Sequence, residues 1–158
     1  METARPATAA DAADLAALWS RAVAELDGQR GGRALAGALT RADLPAFLAA
    51  AVADPERLLV LGLIDDVPVG LASLWVDRAR RQPIGQLELI YVEPPARQIG
   101  VASTMLALVE QRCRAWGLAG LDAPALPGNR PAKSFFETQG MMARLLVMHR
   151  AFDEGGHG

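Results

Sequence analysis

The 158-residue chain predicts a mixed α+β fold, a mostly antiparallel twisted sheet of about six or seven strands flanked by about four helices. Two β-rich runs, 57–64 and 67–76, sit either side of Asp65-Asp66 in the pattern of a hairpin. A third apolar run, 86–92, leads through two prolines into a helical pattern. Helices and strands interleave on both sides of these runs, in one domain spanning residues 1–158.

Residues 3–8 read as a short first strand. From Asp11 an alanine-rich helix carries Leu15, Leu18, Trp19, Ala22 and Leu26 at helical spacing and ends near Asp27-Gly28. The stretch 28–37, rich in glycine and arginine, reads as a loop. A second helix follows, capped by Thr40 or Asp43, carrying Leu44, Phe47, Leu48 and Ala51 and stopped by Asp54-Pro55. In the third β-run Leu87, Leu89 and Tyr91 alternate with Glu88, Ile90 and Val92, so Glu88 is expected on the face opposite the leucines. A helix over about 99–116 then ends at Gly117, and a strand is expected at 118–125. Asn129 caps a short helix with Pro131 in its first turn that ends at Gly140. The run 141–152 alternates as a last strand, and 153–158 reads as a frayed tail.

Composition narrows the function classes. Net charge is −2, and Arg78-Ala79-Arg80-Arg81 is too short a basic cluster for a nucleic-acid footprint. The longest apolar stretch, 58–64, is far short of a membrane span, and the first residues lack a secretory h-region, so a cytoplasmic protein is expected. The single cysteine, Cys113, falls on the same helical face as Met105, Leu106, Val109 and Trp116, where it reads as a packed thiol. His149 and His157 have no neighbours at metal-ligand spacing, and no metal is expected.

Chemistry concentrates in Tyr91-Val92-Glu93-Pro94-Pro95-Ala96-Arg97-Gln98-Ile99-Gly100-Val101-Ala102. The first N–H groups of a helix lack internal partners and carry the positive end of the macrodipole, so a strand that breaks and restarts as a helix presents an anion site. Gly100 and Ala102 let a ligand approach that backbone closely. The same residues also suit a plain strand-to-helix turn. No Rossmann glycine pattern follows an early strand, and no Walker lysine follows these glycines.

Arg97-Gln98-Ile99-Gly100-Val101-Ala102 resembles the Q/R-x-x-G-x-G/A signature of the GNAT superfamily of acyl-CoA-dependent N-acetyltransferases. Asn129, Ala132, Phe135, Phe136 and Gly140 resemble its second signature, Asn-x-x-Ala-x-x-aromatic-Tyr-x-x-x-Gly, with phenylalanine at 136 in place of tyrosine. The order of elements is similar along nearly the whole chain. The resemblance implies that acetyl-CoA is the acyl donor, with its pyrophosphate held by the backbone of Gln98, Ile99, Gly100, Val101 and Ala102, together with Arg97, Ser103 and Thr104. It implies a pantetheine arm along the strand ending at Val92, whose N–H would polarise the thioester carbonyl.

Direct transfer needs a neutral amine, and an alkylamine with a pKa of roughly 10.4 is mostly protonated at pH 7. Glu88 resembles the family position that supplies a general base, directly or through water, and reads equally as an ordinary strand carboxylate. Tyr91 is the weaker base candidate. Asn129 reads as a pantetheine ligand or simply as an N-cap, and Phe136 as apolar packing against the arm. With Phe136 replacing the tyrosine that protonates the leaving thiolate in the family, water is left to do so, since a thiol pKa of roughly 8.5 lets coenzyme A leave as thiolate.

The resemblance implies a small-molecule or peptide amine as acceptor, its structure unidentified. Arg30, Arg33 and Arg78 read as solvated loop charges or as partners for an acceptor carboxylate. The competing function is a non-catalytic acyl-CoA-binding or regulatory module. The apolar strands also permit a homodimer.

Overall fold

Five strands and five α-helices make up the described part, residues 1–152, of the computed structural model. In chain order they are β1 (Glu2–Pro6), α1 (Ala12–Asp27), α2 (Gly32–Leu39), α3 (Leu44–Ala53), β2 (Arg57–Ile64), β3 (Val67–Asp77), β4 (Ile84–Val92), α4 (Val101–Ala115), β5 (Leu121–Asp122) and α5 (Arg130–Thr138). Strands lie in sequence order, β1 to β4 antiparallel and β5 parallel to β4. The fold is the expected α+β class.

Two layers of helix explain why β2 is apolar almost without alternation. Leu59, Leu61, Leu71, Leu89 and Tyr91 face α1, α2 and α3 and pack with Leu15, Leu18, Trp19, Leu39 and Leu48. Leu58, Val60, Ala72, Leu74, Leu87 and Val92 face α4 and pack with Val101, Met105, Leu106, Val109 and Cys113. A strand covered on both faces has no solvent side to give to polar residues. Each such buried aliphatic side chain contributes about 1.5–3 kcal/mol relative to exposure.

Local signals set the ends. Asp65 (φ 47°) and Asp66 (φ 67°) take the left-handed conformation that a two-residue hairpin requires and that aspartate tolerates. Asp43, not Thr40, caps α3 by accepting from the Ala46 N–H at 3.1 Å. Asn129 Oδ1 accepts from the Ala132 N–H at 3.1 Å as the N-cap of α5. Gly117 (φ 69°) ends α4 as expected.

The paired glycines Gly62 and Gly70 place α4. A Cβ at Gly62 would lie 2.5 Å from Val101 Cγ1, and one at Gly70 would lie 2.9 Å from Met105 Cε. Only a bare backbone lets the first turn of α4 rest directly on the sheet.

Four expectations change. The expected loop at 28–37 becomes helical from Gly32, because Ala36 and Leu39 find a buried face against α1 that offsets the poor propensity of glycine. The strand expected over 118–125 shrinks to Leu121–Asp122, and Pro124, with no N–H to donate, follows one residue later. The expected strand 141–152 is irregular, with Met142 through Phe152 exposed throughout, so the six or seven strands become five among the described residues. The alternation around Glu88 is interrupted: Leu74 pairs with Leu87 but Ser73 with Leu89, which makes Glu88 the extra residue of a β-bulge. The tail expected at 153–158 lies outside the described residues.

Candidate active site

The bulge and the short β5 together open a cleft. β4 and β5 pair only at Gly85 with Leu121 and Gln86 with Asp122, after which the chain turns off at Pro124 while β4 runs on to Val92. The Glu93 N–H donates to the Val69 carbonyl at 2.8 Å, which sets the phase of the β3–β4 ladder. Ile90 and Val92, opposite Ala72 and Gly70 in non-hydrogen-bonded pairs, therefore aim their N–H and C=O groups away from β3, into the gap. The cleft encloses about 320 Å³, within the range of small-molecule sites. Leu87 to Val92 form one wall, Pro124, Ala125 and Leu126 another, and Asn129, Phe135 and Phe136 of the α5 region a third.

At its upper end lies the turn between β4 and α4. Gln98 (φ 66°) and Gly100 (φ 97°) both take the left-handed conformation, curling the backbone into a nest ahead of the helix. The N–H groups from Gln98 to Ser103 have no acceptor among the described residues, whereas that of Thr104 bonds to the Gly100 carbonyl at 3.0 Å. Six unpartnered donors at the positive end of a 15-residue helix give this turn the electrostatics that suit a polyanion.

Most of the expected site residues meet here. Glu88, Val92, Arg97, Gln98, Gly100, Val101, Ala102, Ser103, Asn129 and Phe136 line the cleft. Ile99 and Thr104 do not: the Ile99 side chain is half exposed, and the Thr104 hydroxyl is spent on the Gly100 carbonyl at 2.8 Å. Arg97 turns back from the nest, its Nε donating to the Val92 carbonyl at 2.8 Å and its Nη2 pairing with Glu25 at 2.6 Å. Asn129 spends its oxygen on the cap, and its Nδ2 lies 3.4 Å from Gln29 Oε1, joining the α1–α2 corner to the far wall. Phe136 is buried, its ring 5.3 Å from that of Phe135.

Glu88 differs most from the sequence expectation. The bulge turns it toward the α1–α3 side of the sheet, the side of Leu89 and Tyr91. There Oε2 accepts from Arg57 at 2.8 Å and from the buried Ser73 hydroxyl at 2.9 Å, while Oε1 has only Arg41, at 3.7 Å. Both guanidinium groups stack on the Phe47 ring. Arg41, Arg57 and Ser73 were not foreseen, because they converge from three separate elements. Tyr91 therefore shares a side with Glu88. Its phenol donates to Glu93 at 3.3 Å, and burial, with Glu93 and Glu25 nearby, raises its pKa. Burial likewise raises the pKa of the Cys113 thiol, which α4 packs against the sheet away from the cleft wall.

Known structures share this architecture. A variant of the BH1408 protein from Bacillus halodurans superposes with a TM-score of 0.77 at 16% identity, over 94% of this chain and 98% of that one. AAC(6')-Iy, solved with a bisubstrate analogue, CoA-S-monomethyl-acetylneamine, gives 0.75 at 16% identity over 97% and 99%. The aminoglycoside 6'-N-acetyltransferase AAC(6')-Ih from Acinetobacter baumannii gives 0.71 at 16% identity over 97% and 100%. At such identities the likeness establishes a common fold. No curated protein matches by sequence. The family model for GNAT acetyltransferases matches residues 20–141, most of the chain, and the protein therefore belongs to the acetyltransferase (GNAT) family.

Proposed function

We propose that the protein is a cytoplasmic N-acetyltransferase that transfers an acetyl group directly from acetyl-CoA to a primary amine on a small-molecule or peptide acceptor. One observation carries the reading: the unpartnered N–H groups of Gln98 to Ser103 and the open β4 edge at Ile90 and Val92 share one cleft. A polyanion at the first and an extended amide chain along the second is the combination that coenzyme A presents. The apolar walls from Ala125, Leu126, Phe135 and Phe136 suit the pantetheine arm.

In this mechanism the Val92 N–H polarises the thioester carbonyl as a single oxyanion donor. Glu88 Oε1, the less committed oxygen of a carboxylate held in place by Arg57 and Ser73, takes the proton of the acceptor ammonium directly or through water. The neutral amine forms the C–N bond, the C–S bond breaks, the nitrogen gives up its second proton to water, and water in turn protonates the thiolate, because Phe136 carries no proton to give. The structural relatives that act on aminoglycosides make a polyamine a reasonable first acceptor to try.

Buried Phe136 favours one other reading, a non-catalytic acyl-CoA-binding module. Coenzyme A titrated by calorimetry and free-thiol release from acetyl-CoA with a panel of amines separate the two. Binding with amine-dependent release supports the enzyme, and Glu88→Gln should then lower kcat about a hundredfold with little change in coenzyme A affinity. Binding without release for any amine favours the module. Absence of binding would remove both.

A further inference from the structure

Around Glu88 the cleft carries more positive charge than one carboxylate balances. Two guanidinium groups stand there, Arg57 and Arg41, with side chains only 21% and 23% exposed, and among the described residues neither forms an ion pair with any other carboxylate. Arg57 donates from Nη1 to Glu88 Oε2 at 2.8 Å. Arg41 is held by other means. Its Nη1 donates to the Ala38 carbonyl at 2.6 Å and lies 3.3 Å from the Thr40 carbonyl, at the end of α2, while its guanidinium sits over the Phe47 ring at 4.3 Å. The opposite edge, Nε and Nη2, makes no hydrogen bond among the described residues, because Glu88 Oε1 is 3.7 Å from Nη2, beyond hydrogen-bond reach. That edge is the fork that matches a carboxylate through two parallel bonds, and the contacts at Nη1 and Phe47 hold it ready. Glu88 lines the cleft, and Arg41 borders open space as well, lining a hollow between α1 and α2 with Ser20, Asp27 and Arg33.

We propose that Arg41 selects the acceptor, and that the acceptor is an α- or β-amino acid whose own carboxylate takes the free Nε and Nη2 edge while its amine meets Glu88 Oε1. The inference rests on the acetyltransferase reading and narrows its substrate class. Oε1 and Nη2 are 3.7 Å apart, a spacing that the nitrogen and carboxylate of one compact amino acid span with each at hydrogen-bond distance. The acceptor's carboxylate answers the second guanidinium, for which Glu88 alone is not enough. A polyamine instead brings further positive charge beside two arginines and offers them no anion, so repulsion counts against it. Leu26, Leu35 and Leu89 line the same side of the cleft and suit an apolar side chain on the acid. The products are the N-acetyl amino acid and free coenzyme A.

The test measures thiol release from acetyl-CoA by the full chain with L-leucine, L-methionine and L-phenylalanine, each beside its carboxamide, and with spermidine as the polycation. The best acid should exceed its amide and spermidine by at least about tenfold in kcat/KM. Arg41→Gln should raise KM for that acid by at least about tenfold, with kcat falling far less, and should abolish the preference over the amide. Arg41→Lys, which keeps the charge without the fork, should recover part of that preference. Loss of a contact at the end of α2 alone would not separate acid from amide, and coenzyme A affinity by calorimetry should be the same in both variants as in wild type. Amides or spermidine used as well as the acids, or a preference for acids that survives Arg41→Gln, overturn the proposal and leave the acetyltransferase reading standing. Thiol release with no amine at all overturns that reading and the proposal with it.

Discussion

The two sides of the cleft are built to different standards. On one side β4 is laced to β3 along its length, its side chains locked between helix layers, and Gly62 and Gly70 seat the first turn of α4 on the sheet. On the other, a two-residue strand, a proline-broken segment and a nine-residue helix stand with few partners. In the proposed function the first side carries the donors to coenzyme A and so must hold atomic positions, whereas the second only has to close over a flexible apolar arm, and a loosely held wall serves for that. Openings of low free-energy cost are expected where buried apolar contacts are few.

The sharpest way to break this contrast is to lift α4 off the sheet. Gly62→Val should destabilise the protein by about 2–3 kcal/mol in urea denaturation, since the new side chain must displace Val101 and Met105. A loss under about 1 kcal/mol would mean that α4 is free to slide and that the first wall is no firmer than the second.

Next in size is the carboxylate that ties β1 to α1. Arg5, bonded through both terminal nitrogens, together with the Thr8 N–H and hydroxyl, holds the Asp11 pKa down at about 2, against an ordinary value of 3.8. A depressed carboxylate contributes stability above its unfolded pKa, and that contribution is lost as pH falls through the folded value. Asp11→Asn should therefore cost about 1–2 kcal/mol near neutrality, with the gap to wild type closing between pH 4 and pH 2. A pH-independent gap would point to packing instead of charge.

Gly100→Ala probes the nest itself. Its φ of 97° strains any other residue, and a Cβ there would lie 3.3 Å from a Glu2 carboxylate oxygen. Coenzyme A affinity should fall about tenfold, equivalent to about 1.4 kcal/mol, with a comparable or smaller loss of stability. Unchanged affinity by calorimetry would remove the nest from the binding account.

The smallest effect belongs to the second wall. Leu126→Ala should change stability by less than about 1 kcal/mol, because its partners are few and the segment can relax. A loss of several kcal/mol there would erase the distinction between the walls.

Much of this was legible before any coordinates. The hairpin at Asp65-Asp66, the cap at Asn129 and the nest around Gly100 depend on neighbours in sequence, so short motifs report them well. Glu88 was misplaced because strict alternation assumes an unbulged strand, and a bulge leaves no mark in composition. The Gly62–Gly70 pair did have a signal, since lone glycines inside apolar strands point to close backbone approach. The arm at 141–152 read as a strand because its residues have strand character, but a strand needs a partner, which local pattern cannot supply.

Sequence alone determined the α+β class, the strand-to-helix turn from Val92 to Ala102 and the unpartnered N–H groups that the turn presents, because all three follow from local conformational preference and hydrophobic period. Tertiary structure decided which flank of β4 stays open, where the Glu88 carboxylate points and what restrains it. Those properties arise from register, from a proline that ends a ladder and from arginines two or three elements away, and no stretch of contiguous residues contains them.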